Sequence, residues 1–291
     1  MNSGLKTRIE NLLSTYYGSS IVIRSAHPCS GGSIHNCMRV ELENGLNLFL
    51  KTGQSSLPGV YQCEYKALEC FHEIGQLAVP EPILAEDDFL LMQWLELGPA
   101  GPQWQEQTGR ALALMHRAGI GSRFGFHEDN YLGTSPQPNQ WQDSWLTFWR
   151  EQRLGHQLAM WTEKCSADDP LPGLGYTLCE QLDKLLGGLC EPAVLLHGDL
   201  WSGNAAADRD GAPVIFDPAC YYGHREAEFG MMRLFGGFGQ RCESAYREIW
   251  PFEPGFEDRV KLYRLYHELN HLNIFGTAYH KQCLETAKSL L

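Results

Sequence analysis

Asp199, Asn204 and Asp217 stand at spacings that suit one kind of chemistry, the movement of a phosphoryl group. The run His197-Gly198-Asp199-Leu200-Trp201-Ser202-Gly203-Asn204 sets an aspartate two residues after a histidine and an asparagine five residues further on. Asp217 follows Asn204 by 13 residues, at the end of Val214-Ile215-Phe216. The oxygens of Asn204 and Asp217 are hard ligands of the kind Mg²⁺ takes, and Mg²⁺ held there can bridge the phosphates of ATP. Asp199 lies on the loop just before them. It can orient an acceptor hydroxyl and take its proton late in the transfer.

The framework around these residues strengthens the reading. Residues 193–196 form a strand that runs into His197, and 205–207 and 214–216 flank the turn Asp208-Arg209-Asp210-Gly211. Pairing across that turn sets Asn204 opposite about residue 215, with Asp217 close by. A second pair of charges comes earlier in the chain. Lys51 ends the apolar strand Asn47-Leu48-Phe49-Leu50, and Glu64 shares a helical stripe with Tyr61, Leu68 and Phe71. An isolated buried charge is expensive, so a lysine and a glutamate on inward faces want each other as partners. Phosphoryl transfer uses such a lysine on the inner phosphates, held by a helix glutamate. Between the first two strands, the backbone amides of Gly31, Gly32 and Ser33 can cover the phosphates. The backbone of Met92, Gln93 and Trp94, between the two halves of the chain, is the expected place for hydrogen bonds to adenine.

These residues need elements to position them. Strands at 21–28, 37–42 and 47–51, with an Asn44-Gly45 hairpin, make an antiparallel meander. A helix at 61–74 and a strand at 89–94 follow, and Gly98-Pro99-Ala100-Gly101-Pro102 breaks the chain. The remainder is mostly helical, at 103–118, within 141–164, at 176–189 and at 259–275. The expected architecture is α+β and bilobal: a β-rich ATP-binding lobe over 1–97 and a helical catalytic and substrate lobe over 98–291. The 291 residues are 43% hydrophobic, enough for a sizeable core. A formal charge of −12 argues against nucleic-acid and anionic-membrane partners. No apolar run reaches the ~18 residues of a membrane helix. Ten cysteines without a C-x-x-C read as reduced thiols in a cytoplasmic chain without a signal segment. Nothing in the composition assigns an oligomeric state.

The chain resembles the fructosamine (ketosamine) kinases, relatives of the aminoglycoside and choline kinases within the protein-kinase-like fold. The resemblance runs from about Ile21 to Gly276. It rests on Gly31-Gly32-Ser33-Ile34, Phe49-Leu50-Lys51, the His197–Asn204 run and Phe216-Asp217-Pro218-Ala219-Cys220-Tyr221-Tyr222-Gly223-His224-Arg225-Glu226. Asn130-Tyr131-Leu132-Gly133-Thr134, Leu234-Phe235-Gly236-Gly237-Phe238 and Leu269-Asn270-His271-Leu272-Asn273 add to it. The resemblance implies transfer of the ATP γ-phosphoryl group to the third-carbon hydroxyl of a ketosamine, a step in deglycation. Trp201 can offer a flat wall to the sugar or its amine cation, and Tyr221, Tyr222 and His224 are candidates for the acceptor side. Relatives commonly carry aspartate where this chain has Glu228, a place expected to concern helix capping alone. Some relatives carry a redox-sensitive cysteine where this chain has Ser33, so redox control does not carry over.

Rival readings are a kinase for another small alcohol or amino sugar, a zinc hydrolase and a nucleotide-binding pseudokinase. His267-Glu268-Leu269-Asn270-His271 has the H-E-x-x-H form of a zinc site. Its extended form wants glycine and histidine where this chain has Ile274 and Thr277, and two histidines on a partly buried helix explain it as well. A pseudokinase would have lost one of Lys51, Glu64, Asp199, Asn204 and Asp217, and all five are present.

Overall fold

The computed structural model describes residues 1–29, 36–53 and 57–291. Helix α1, Ser3–Tyr17, opens the chain, with the Asn2 side chain accepting from the Leu5 N–H at its start. Strands β1 (Ile23–Pro28), β2 (Asn36–Leu42) and β3 (Asn47–Thr52) form the expected meander, and helix α2 spans Val60–Ile74. Strands β4 (Pro82–Glu86) and β5 (Phe89–Gln93) complete a five-stranded antiparallel sheet in the order β1-β2-β3-β5-β4. Alternation along β5 shows how the sheet is covered. Phe89 and Leu91 share one core with Ile9 and Leu13 of α1, whereas Leu90 and Met92 join a larger core with Tyr61, Leu68 and Phe71 of α2.

Residues 94–96 lead to β6 (Leu97–Gly98), which pairs with a strand of the second lobe rather than with the sheet. Helix α3 (Trp104–Ala118) and β7 (Ile120–Gly121) follow, then the hairpin of β8 (Asn130–Leu132) and β9 (Ser135–Gln137). Helix α4 (Trp145–Phe148) continues through a π-helical stretch, Trp149–Leu154, into α5 (Gly155–Thr162). Helices α6 (Pro170–Glu180) and α7 (Asp183–Leu186) lead to the short strands that carry the site: β10 (Ala193–Leu196), β11 (Ala205–Asp208), β12 (Pro213–Ile215) and β13 (Tyr221–Gly223). Helices α8 (Glu228–Leu234), α9 (Gln240–Ile249), α10 (Phe256–Phe275) and α11 (His280–Ser289) close the lobe. Among the described residues no helix is long and apolar enough to cross a membrane, and the cysteines form no disulfide.

Candidate active site

The two charged pairs meet in one cleft. Lys51 is buried at the end of β3, and its Nζ lies 2.6 Å from Glu64 Oε1 on α2 and also contacts Asp217 Oδ1. Burial works against the ammonium charge, but Asp217 and Glu64 more than offset it, so Lys51 is held protonated above its usual range. Burial raises the Glu64 carboxyl against the pull of Lys51. The Lys51–Asp217 contact spans the two lobes, and no spacing in the sequence announces it.

The β11–β12 hairpin pairs Ala205 with Ile215 and Ala206 with Val214. The register is one residue from expectation: Asn204 faces Phe216, whose N–H donates to the Asn204 carbonyl at 3.1 Å. Asn204 Nδ2 donates to the Asp199 carbonyl at 2.9 Å and to Asp199 Oδ2 at 3.1 Å. With the amide nitrogen so engaged, Oδ1 is left as a hard oxygen on a residue that lines the same cavity as Asp217. Asp217 itself has left-handed backbone, φ +61°, outside the usual range for a side-chain-bearing residue. These oxygens fit Mg²⁺ by their chemistry, and both residues line one cavity. Burial first, and then the charge of Asp217, push the Asp199 carboxyl up to about 8, with the Asn204 hydrogen bond opposing.

The loop is held from beneath. His197 is fully buried, and its Nε2 lies 2.9 Å from the Phe216 carbonyl. That carbonyl can only accept, so Nε2 carries the proton and Nδ1 accepts from the Asp199 N–H at 3.3 Å. Gly198 has φ +79°, and a Cβ there would sit 2.2 Å from the Ala219 carbonyl, so only glycine fits. The N–H groups of His197 and Gly198 donate to Glu228 at 2.7 and 3.1 Å. Glu228 is buried and lies 3.5 Å from His116 Nε2, while His116 Nδ1 meets the Tyr246 hydroxyl at 2.8 Å. Burial disfavours its charge, but His116 and then His197 outweigh that and hold the carboxyl below its usual value. Glu228 is therefore no helix cap, since its side chain satisfies the backbone of the catalytic loop. The sequence signal was an acid among Ala227, Phe229, Met231 and Met232, all of them buried.

A cavity of about 130 Å³ brings together Lys51, Glu64, Asp199, Trp201, Asn204 and Asp217. Beside it a cavity of about 470 Å³ runs between Phe49, Met92, Gln93, Trp94, Leu95 and Phe216. At the end of β5 the Gln93 N–H is already committed to the Glu81 carbonyl at 2.8 Å, so that group is not the adenine donor the sequence suggests. The Trp94 ring stacks on Phe49 at 6.1 Å, with the Arg39 guanidinium 5.0 Å from its centroid. Trp201 lines the reaction cavity and meets Phe235 edge-on at 5.8 Å. Gly31, Gly32 and Ser33 lie outside the described residues.

Two acceptor-side candidates are corrected. Tyr221 is buried, stacked on Phe148 and capped by the Arg153 guanidinium 3.9 Å from its centroid. His224 is also buried, with Nε2 3.0 Å from Glu191 and Nδ1 3.2 Å from the Tyr263 hydroxyl. Strand β13 pairs with β10 at the centre of the lobe, so both side chains enter the packed core and neither lines the cleft. Tyr222, their neighbour, packs near Phe126 and Trp141. The H-E-x-x-H run is explained without zinc. Glu268 is buried against Arg264 at 2.9 Å and Gln282 at 2.9 Å, and His271 Nδ1 donates to the His267 carbonyl at 2.8 Å.

An antiparallel sheet lobe over a helical lobe, with a lysine–glutamate pair facing an Asp-Asn-Asp set across a cleft, defines a protein-kinase-like phosphotransferase. The chain belongs to the fructosamine kinase family, whose family model matches residues 5–291, and it is a kinase. It is 38% identical over 273 residues to a chloroplastic protein-ribulosamine 3-kinase of Arabidopsis thaliana, covering 92% of this chain and 82% of that one. To a probable ketoamine kinase of Synechocystis it is 37% identical over 289 residues, covering 97% and 96%. A crystal structure from Thermobifida fusca, named as a candidate fructosamine-3-kinase, matches with TM-score 0.86 and 30% identity over 97% of this chain and 98% of that chain. An aminoglycoside phosphotransferase shares the fold, with TM-score 0.64 at 17% identity over 97% and 98%.

Proposed function

We propose that this kinase transfers the γ-phosphoryl group of ATP to the third-carbon hydroxyl of a ketosamine, and that it acts in protein deglycation. The observation that carries the reading is the convergence of Lys51, Glu64, Asp199, Asn204 and Asp217 in one cavity. In this reading residues 1–97 supply the nucleotide lobe and 98–291 the acceptor lobe. Adenine lies in the cavity lined by Phe49, Met92 and Trp94, with backbone groups other than the Gln93 N–H as its hydrogen-bonding edge. Lys51, held by Glu64, contacts the phosphates. Asn204 and Asp217 would hold Mg²⁺, which would supply neutralisation of phosphate charge. Asp199 accepts the hydroxyl proton, and Asn204 and the His197 ring fix its place. Trp201 gives the sugar or its ammonium a flat wall. The cysteines, which form no disulfide among the described residues, accord with a reducing compartment, which we take to be the cytoplasm.

The test is ATP consumption with Mg²⁺ over fructose-lysine, ribulose-lysine, choline and an aminoglycoside, with Asp199→Asn as control. Turnover confined to a ketosamine and lost in the variant is the expected result. Turnover on choline or the aminoglycoside instead would overturn the substrate and keep the class.

A further inference from the structure

We propose that an aromatic cup beyond Trp201 reads the group carried by the substrate's amine and favours ketosamines whose amine bears an apolar or aromatic substituent. The inference rests on the ketosamine reading above. A cavity of about 270 Å³ adjoins the reaction cavity and shares Gly133, Asp199 and Trp201 with it. Its far walls are Phe235, His271, Phe275 and Tyr279. The rings touch one another: Phe235 meets His271 at 4.9 Å, and His271 lies 5.2 Å from Tyr279 and 5.5 Å from Phe275. Phe235 and Phe275 remain 43% and 55% exposed. Apolar ring surface is thus left in water beside the reacting centre, where a ligand gains by covering it.

Substrate chemistry places the substituent there. With the third-carbon hydroxyl at Asp199, the amine is two carbons away on the first carbon. Of the two arms that leave the third carbon, the one from the fourth carbon onward carries only hydroxyls, which gain little from rings, so the amine and its substituent are assigned to the cup. Among the described residues lining the cup, Asp199 is the only acidic or basic one apart from His271. An anionic substituent therefore finds no lysine or arginine among the lining residues, whereas an apolar one is buried against several rings. His271 supplies the polar end. Its Nδ1 is committed to the His267 carbonyl, which leaves Nε2 of the neutral ring as an acceptor for an N–H or O–H of the ligand. The second histidine of the H-E-x-x-H run thereby acquires a place in substrate recognition.

The test compares the methylamine and benzylamine adducts of one ketose, using the full chain with ATP and Mg²⁺. The wild type is expected to turn over the benzyl adduct with kcat/KM about tenfold above the methyl adduct. Phe275→Ala is expected to reduce that ratio to about twofold or less, and Phe275→Leu to restore part of it. The exposure of Phe275 keeps these changes away from the core, and an unchanged melting temperature checks it. A wild-type ratio near one, or a ratio untouched by Phe275→Ala, overturns the cup while leaving ketosamine kinase activity in place. Failure of both adducts alongside turnover of choline or an aminoglycoside overturns the ketosamine reading and the cup with it.

Discussion

The phosphate side and the acceptor side of the cleft differ in what holds their side chains. On the phosphate side each charge already has a partner: Lys51 lies between Glu64 and Asp217, Asn204 is tied to Asp199, and the loop amides rest on Glu228. On the acceptor side rings lean on rings, and two of them stand partly in water. The first arrangement is preorganised electrostatics, which fixes atoms before substrate arrives. The second is a shaped apolar surface, whose geometry is completed by what covers it. Damage to the first should therefore appear in turnover or folding, and damage to the second in substrate preference.

The largest break is expected from Asp199→Asn. Turnover should fall about 10³-fold with ATP affinity and melting temperature nearly unchanged, as read by steady-state kinetics and nucleotide titration. Unchanged turnover would remove Asp199 from the chemistry. Next comes Glu228→Ala, which strands two buried N–H groups and should cost about 3 kcal/mol in urea unfolding. Glu228→Gln, which keeps an acceptor, should recover part of that, and equal losses would deny the loop contact. A pH effect follows behind the acceptor side. Burial first, then His271 and Arg153, push His267 down to about 3. Its unfolded value is about 6.5, so the unfolded chain binds more protons between the two. The stability is fully present above about pH 6.5 and is lost as pH falls towards 3. About 2 kcal/mol should go between pH 7 and pH 5, and a His267→Gln chain should lose less over that interval.

Glu64→Ala leaves Lys51 to Asp217 alone and should raise the KM for ATP roughly tenfold. An unchanged KM with an unchanged rate would refute that role. The smallest effect is set for Trp201→Ala, which should raise the acceptor KM about fivefold while leaving the KM for ATP in place. A matching rise in the ATP value would erase the contrast between the two sides.

The same contrast explains what could be read in the sequence. Lys51 and Glu64 were legible because each stood on an inward face and needed a counter-charge, and the Asp199–Asn204–Asp217 spacing because a hairpin joins its parts. The hairpin register was missed by one residue, since the turn Asp208–Gly211 admits neighbouring pairings. Tyr221 and His224 were misplaced because an aromatic residue beside a site can serve as wall or as core, and only Arg153 and Glu191, distant in sequence, decide it. Helix α1 leaves a weak signal in the sequence, because its buried residues, Ile9 and Leu13, lie one helical turn apart among mostly polar neighbours. Glu228 lacked a visible partner because its partners are backbone amides, which carry no residue identity.

The left-handed backbone at Asp217 constrains which substitutions a library at that position can return. Glycine takes this conformation freely, asparagine and aspartate at modest cost, and other residues at roughly 1–2 kcal/mol. Of the residues that sit there easily, only aspartate brings a carboxylate to Lys51. Selection for folding and selection for turnover should therefore return different sets of residues at 217, with glycine, asparagine and aspartate in the first and aspartate alone in the second. Glutamate, the other acidic choice, is disfavoured on both counts, by backbone conformation and by reach.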